Sequence, residues 1–117
     1  MSDSLSDLNK KLKQFAIDRD WEQFHDPKNL SMALIAEAAE LVEHFQWLTP
    51  EQSKNLSADK LSEVSFEMAD ILIFLIRLAE RLDIDLIKTT EEKMLINDTR
   101  FPIKKVKGKA DYKGNDR

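Results

Sequence analysis

The sequence contains no cysteine, which excludes disulfides, zinc–thiolate centres and thiol nucleophiles and fits a reducing compartment. It has only two glycines, Gly108 and Gly114, and three prolines, all outside the strongly periodic segments. Strand signals and internal repeats are also missing, so helices must account for nearly all of the chain. No apolar run is long: the longest, ILIFLI at 71–76, falls far short of the roughly 20 residues a membrane-spanning helix needs. The N-terminal stretch MSDSLSDLNKK is polar and has no apolar core of a leader, so no signal peptide is expected and the chain reads as cytoplasmic.

What is present describes a soluble globular protein: 117 residues, 42% hydrophobic and 34% charged. The net charge of −4 is unevenly spread. Residues 104–117 hold six Lys/Arg against two Asp, whereas residues 1–103 hold 12 basic and 20 acidic residues. So acidic a body is a poor nucleic-acid surface, and neither nucleic acid nor membrane is an expected partner. The expected organisation is one all-α domain over 1–103 followed by a basic tail, 104–117, which reads as a flexible extension.

Periodicity predicts four main helices. The first runs from Ser4 or Ser6 to Trp21, with Leu5, Leu8, Leu12 and Phe15 on one face. A loop bent by Pro27 follows, then a helix over about 30–47 with Leu34, Ala38, Leu41, Phe45 and Leu48 as its stripe. Thr49-Pro50-Glu51-Gln52 has the form of an N-cap with proline at N1 and glutamine at N3, which starts a short helix. Ser57 caps a third long helix over 58–82, whose stripe is Leu61, Val64, Met68, Ile71, Leu75, Leu78 and Leu82. Asp83-Ile84-Asp85 is the break before a fourth helix over 86–97, and Pro102 closes the ordered part. Four helices with short connections give a four-helix, bundle-like fold. In the third helix Ala69, Ile73 and Ile76 leave the stripe, so it is apolar almost all round and calls for cover on every side. A second copy of the chain would supply that cover, and a homo-oligomer is predicted.

Against this background some acids are out of place. Each helical residue turns about 100°. With Glu37 at the origin, Leu30, Leu41 and Leu48 lie within about 40° of it, so Glu37 borders the apolar stripe. Glu40 sits about 60° to the other side, and Glu43 about 120° round toward solvent. The third helix repeats the device with Glu67 and Asp70, edged by Ile71, Phe74 and Leu78 and preceded one turn earlier by Glu63. Four carboxylates that converge from two helices must take up protons or bind a cation. A hard divalent ion with oxygen ligands, Mg²⁺ above all, suits such a set. Zinc suits it less, since the chain has only His25 and His44, and none of these acids is followed by a histidine at the Glu-x-x-His spacing of di-iron bundles: His44 follows Glu40 by four residues and Glu43 by one. Spacing alone leaves the alternative open, a solvated edge neutralised by Lys60, Arg77 and Arg81.

Two further groups bear on function. Lys93, Asn97 and Arg100 recur at four and three residues and offer phosphate oxygens a cationic, amide-bearing edge, or simply complement a helix C-terminus. Trp21 and Trp47 both end helices beside loops, with Phe24 and His25 close to the first. They read either as packing at the core rim or as rings on which a base stacks.

The segments RDWEQFHDPKNLSMALIAEAAELVEHFQW, FEMADILIFLIRLA and KMLINDTRFP together resemble the MazG-like nucleotide pyrophosphohydrolases of the all-α NTP pyrophosphatase superfamily. The resemblance covers about residues 5–102 and is nearest to the small single-domain subgroup that includes dCTP pyrophosphatase. The order E-x-x-E, E-x-x-D, K-x-x-x-N belongs to the superfamily; W-E-Q-F-H and F-Q-W narrow it to the subgroup. The resemblance implies a Mg²⁺-dependent enzyme, with Mn²⁺ as the alternative ion. It would convert dCTP, or a modified or non-canonical dNTP, to the monophosphate and pyrophosphate. Glu37, Glu40, Glu67 and Asp70 would hold the metal, with Glu40 and Glu37 catalytic and Glu40 nearest the attacking water. Lys93, Asn97 and Arg100 would contact the phosphates, and Trp21, Trp47, Phe24 and His25 the base. The family assembles as dimers or dimer-of-dimers tetramers whose active sites draw on more than one subunit. One departure is that close relatives can place a histidine from the first helix on the base, where this chain has Leu12 or its neighbours. The competing expectations are a dUTP or phosphoribosyl-ATP pyrophosphohydrolase of the same superfamily, or a non-catalytic helical oligomerisation module.

Overall fold

The structure is a computed structural model that describes residues 4–110. It is all-helical, with no strand among the described residues. The elements are α1 (Ser4–Asp18), a 3-10 turn (Glu22–Phe24), α2 (Pro27–Glu43), α3 (Pro50–Ser53), α4 (Ala58–Arg81), α5 (Leu86–Arg100) and α6 (Ile103–Val106). The chain divides into two compact units, one ending at Asp83 and the other beginning at Ile84.

Helix ends follow local chemistry. Helix α1 stops three residues before Trp21, because Asp20 adopts a left-handed conformation (φ 54°) and the amides of Asp20 and Trp21 turn back onto Ile17 and Ala16. This 5→2 and 6→1 pair is a Schellman closure, made here without glycine. The helix α2 begins earlier than its apolar stripe suggests. Asp26 accepts a hydrogen bond from the Asn29 amide at 2.8 Å, and Pro27 occupies the first helical position, where its missing N–H costs nothing. So Pro27 opens α2 rather than bending a loop. The helix ends at Glu43, and residues 44–47 continue as turns. The predicted capping box is present: Gln52 N–H donates to Thr49 Oγ1 at 3.1 Å, and Thr49 N–H to Gln52 Oε1 at 2.9 Å. Ser57 and Asp85 cap α4 and α5 through the amides of Lys60 and Lys88. Asp83, again left-handed (φ 55°), terminates α4. Helix α5 runs three residues past the expected 97 and carries Arg100 inside its last turn. Beyond Pro102 the chain makes one more turn, α6; residues 111–117 of the basic tail lie outside the described residues.

Within the first unit α2 packs against α4 and α1 against α4. Pairs such as His44 with Lys60 and Glu37 with Glu67 put α2 and α4 in one antiparallel register. Ala16, Leu30, Val64, Ile76 and Ala79 form the buried centre. The apolar stripe of α4 behaves differently from expectation. Val64 is buried, but Leu61, Met68, Leu75 and Leu82, spaced by seven residues, remain 55%, 58%, 36% and 49% exposed within the chain. The seven-residue spacing gives them one line along the helix.

Candidate metal centre

Glu37 comes from the middle of α2, and Glu67 and Asp70 from one turn of α4. One carboxylate oxygen of each lies within 4.8 Å of the others. Glu37 and Glu67 are half-buried, and Oε2 of each is a buried atom with no hydrogen-bond partner. Burial, the facing carboxylates of Glu67 and Glu40, and the charges of Glu40 and Asp70 push the Glu37 pKa up to about 7. Glu40 thus stands beside Glu37, exposed and outside the tight triad. Glu43 is exposed at the end of α2.

The cations that would neutralise a merely solvated acidic edge are engaged elsewhere. Lys60 Nζ pairs with Glu63 at 3.2 Å and contacts His44 Nδ1 at 3.3 Å. Arg77 pairs with Glu22 at 2.7 Å and Glu80 at 3.4 Å, and Arg81 with Glu22 at 3.0 Å. The ion pairs among the described residues leave out Glu37, Glu40, Glu67 and Asp70. Facing acceptors with no donor need either a shared proton or a cation between them. An all-oxygen set with two orphaned buried oxygens fits a hard divalent ion. Further along the seam, the end of α2, α3 and the start of α4 enclose a shallow hollow of about 510 Å³, with His44 and Lys60 on its wall.

The aromatic residues separate into two places. Trp21, set by the α1 closure, meets the Phe15 ring edge-on at 5.8 Å and the His25 ring at 6.4 Å. Phe24 is exposed one residue before His25. Trp47 is 88% exposed, so within its own chain it does not pack at a core rim. In the second unit Lys93, Asn97 and Arg100 share one face of α5, within about 60° of each other. The Asn97 side-chain oxygen is buried without a hydrogen-bond partner, and Arg100 lies over the Phe101 ring at 5.0 Å. The sequence did not reveal the junction of Glu22, His25, Arg77 and Glu80. Its one trace was an arginine inside the apolar run ILIFLIRLA with a glutamate three residues on.

Paired acids on two antiparallel helices define an all-α architecture built around a carboxylate cluster. The MazG-like family profile matches residues 32–115, and the chain belongs to that family. Among curated proteins it is 39% identical to dCTP pyrophosphatase 1 of Bos taurus over 109 residues, covering 92% of this chain and 64% of that protein. It is 41% identical to dCTP pyrophosphatase 1 of Homo sapiens over 101 residues, covering 85% of this chain and 59% of that protein. The chain thus spans less than two thirds of the length of these relatives. A crystal structure of a pyrophosphatase from Archaeoglobus fulgidus superposes with a TM-score of 0.82 at 32% identity, covering 87% of this chain and 95% of that one.

Proposed function

We propose that this chain is a divalent-metal-dependent nucleoside triphosphate pyrophosphohydrolase, with dCTP or a modified or non-canonical dNTP as substrate. The observation that carries this reading is the meeting of Glu37, Glu67 and Asp70, with two buried oxygens that lack a donor. The dCTP pyrophosphatases among its relatives supply the substrate class.

Glu37, Glu40, Glu67 and Asp70 would hold Mg²⁺, or Mn²⁺, through oxygen alone. The ion, when bound, neutralises triphosphate oxygens and makes the α-phosphorus a better electrophile. Glu40, exposed beside the triad, accepts a proton from water. The water oxygen bonds to the α-phosphorus, the bond to the α–β bridging oxygen breaks, and pyrophosphate leaves. Lys93, Asn97 and Arg100 bind phosphate oxygens; Trp21, Trp47, Phe24 and His25 hold the base. Domain 1–103 carries these groups, with residues 104–117 an appendage to it. The exposed seven-residue stripe of α4 supports assembly of copies into a dimer or a dimer-of-dimers tetramer.

Hydrolysis of dCTP in ¹⁸O-water, with and without Mg²⁺, tests the reaction. Label is expected in dCMP, with unlabelled pyrophosphate, and only when the ion is present. Production of dCDP and orthophosphate would refute attack at the α-phosphorus. A panel of dCTP, 5-methyl-dCTP, dUTP, dTTP, dATP and phosphoribosyl-ATP identifies the base and separates the related pyrophosphohydrolases.

A further inference from the structure

Arg77 has no part in the reaction above, yet among the described residues it is the one charged residue that is buried, 2% exposed. A guanidinium withdrawn from water costs several kcal/mol unless its donors are satisfied. Its partners here are specific. Nη2 donates to Glu22 Oε1 at 2.7 Å, Nη1 to Glu80 Oε2 at 3.4 Å, and Nε to His25 Nδ1 at 3.5 Å. The second oxygen of Glu22 accepts from Arg81, and that of Glu80 pairs with Lys13. Two of the three Arg77 contacts therefore fall on the short segment that begins with Trp21, and the anchor reaches it from α4.

The contact with His25 says more than an ion pair does. Guanidinium has donors and no acceptor, so the imidazole Nδ1 facing it must be the unprotonated nitrogen. The ring proton then resides on Nε2. Burial and the Arg77 and Arg81 charges hold the His25 pKa below its ordinary value, against the opposing pull of Glu22, so the ring stays neutral.

We propose that Arg77 is a positioning residue: it fixes His25 as the Nε2–H tautomer beside Trp21, so that the imidazole donates one hydrogen bond to an acceptor atom on the nucleotide base. This rests on the reading that Trp21 and His25 line the base site. The chain therefore selects a base that stacks on Trp21 and offers a carbonyl or unprotonated ring nitrogen to His25, and it disfavours one that offers N–H there. A site built to donate one bond leaves its donor unpaired when the wrong edge arrives, which is how such sites discriminate.

The test needs the intact protein. With two histidines in the chain, ¹⁵N NMR resolves each ring, and His44→Gln assigns them. Wild-type His25 is expected to show protonated Nε2 and unprotonated Nδ1 at pH 7.5. In Arg77→Met the two tautomers should mix, KM for the preferred dNTP should rise about tenfold with kcat little changed, and the spread of kcat/KM across the bases should narrow. Glu80→Gln, which weakens the ion pair but spares the donor to His25, should move neither the tautomer nor KM. A wild-type His25 protonated on Nδ1 overturns the proposal, and that measurement needs no variant to fold. Equal KM losses in Arg77→Met and Glu80→Gln, or unchanged base discrimination in His25→Phe, also overturn it. A wild-type protein that hydrolyses no dNTP refutes the function instead, a result separate from the tautomer.

Discussion

Glu37 is the residue on which the site's energetics turn. Its pKa of about 7, against an ordinary 4.5, means that the metal-free folded state binds a proton more tightly than the unfolded chain does. Between those values the folded state holds more protons, so stability falls as pH rises, and the loss is complete above pH 7. With screening at a half-buried group, the effect is on the order of 1–3 kcal/mol. Denaturant melts of wild type and Glu37→Gln in EDTA isolate it, because the His25 contribution, lost as pH falls, cancels in the difference. Glu37→Gln should be more stable by roughly 1–2 kcal/mol at pH 8, with the gap closing by pH 4.5, and titration calorimetry should show its Mg²⁺ affinity lost. A gap independent of pH would mean that these carboxylates do not interact.

At the scale of the element, specific side-chain caps set where the helices begin. The α2 start depends on Asp26, whose carboxylate takes the Asn29 amide while the Asn29 side chain donates to Phe24 O at 3.2 Å and back to Asp26. Asp26→Ala should cost about 1 kcal/mol in thermal or denaturant melts, the ordinary loss of an N-cap. Helix α4 ends on left-handed Asp83. A side chain in that conformation carries a penalty that glycine escapes, so Asp83→Gly should stabilise by on the order of 0.5–1 kcal/mol. A fall in Tm would show that the Asp83 side chain contributes more than its backbone costs.

For the whole molecule the deciding feature is the outer line of α4. Leu61, Met68, Leu75 and Leu82 are too regular and too apolar for a surface that meets only water. Light scattering should therefore report a homo-oligomer, and Met68→Glu with Leu75→Glu should shift it toward smaller species while leaving far-UV helicity largely in place. A monomeric wild type would remove the assembly from the proposed function.

Much of this was legible in the sequence, for identifiable reasons. Helix α4, the caps at Thr49, Ser57 and Asp85, and the pairs Glu37/Glu40 and Glu67/Asp70 follow from local spacing, because capping and helical periodicity depend on neighbours within a turn or two. The three-residue misplacement of the α1 end and of the α2 start had a local cause as well: left-handed Asp20 closes α1 before Trp21, and Asp26 caps α2 at Pro27, where a loop was expected. Other features were beyond any local pattern. Lys60 and Arg77 each have a glutamate three residues on, Glu63 and Glu80, but only packing shows that Arg77 also reaches Glu22 and that Glu37 and Glu67 are left without a donor. The hydrophobic periodicity of α4 likewise states that a face is apolar, not what covers it; tertiary structure buries Val64 and Ile76 and leaves the Leu61–Leu82 line outward. The sequence by itself determined which residues share a helix face, since 100° per residue is a property of the backbone. Which faces meet, and which charges find partners, was decided only where α2 and α4 close antiparallel, because those contacts join residues some thirty positions apart that no short-range rule connects.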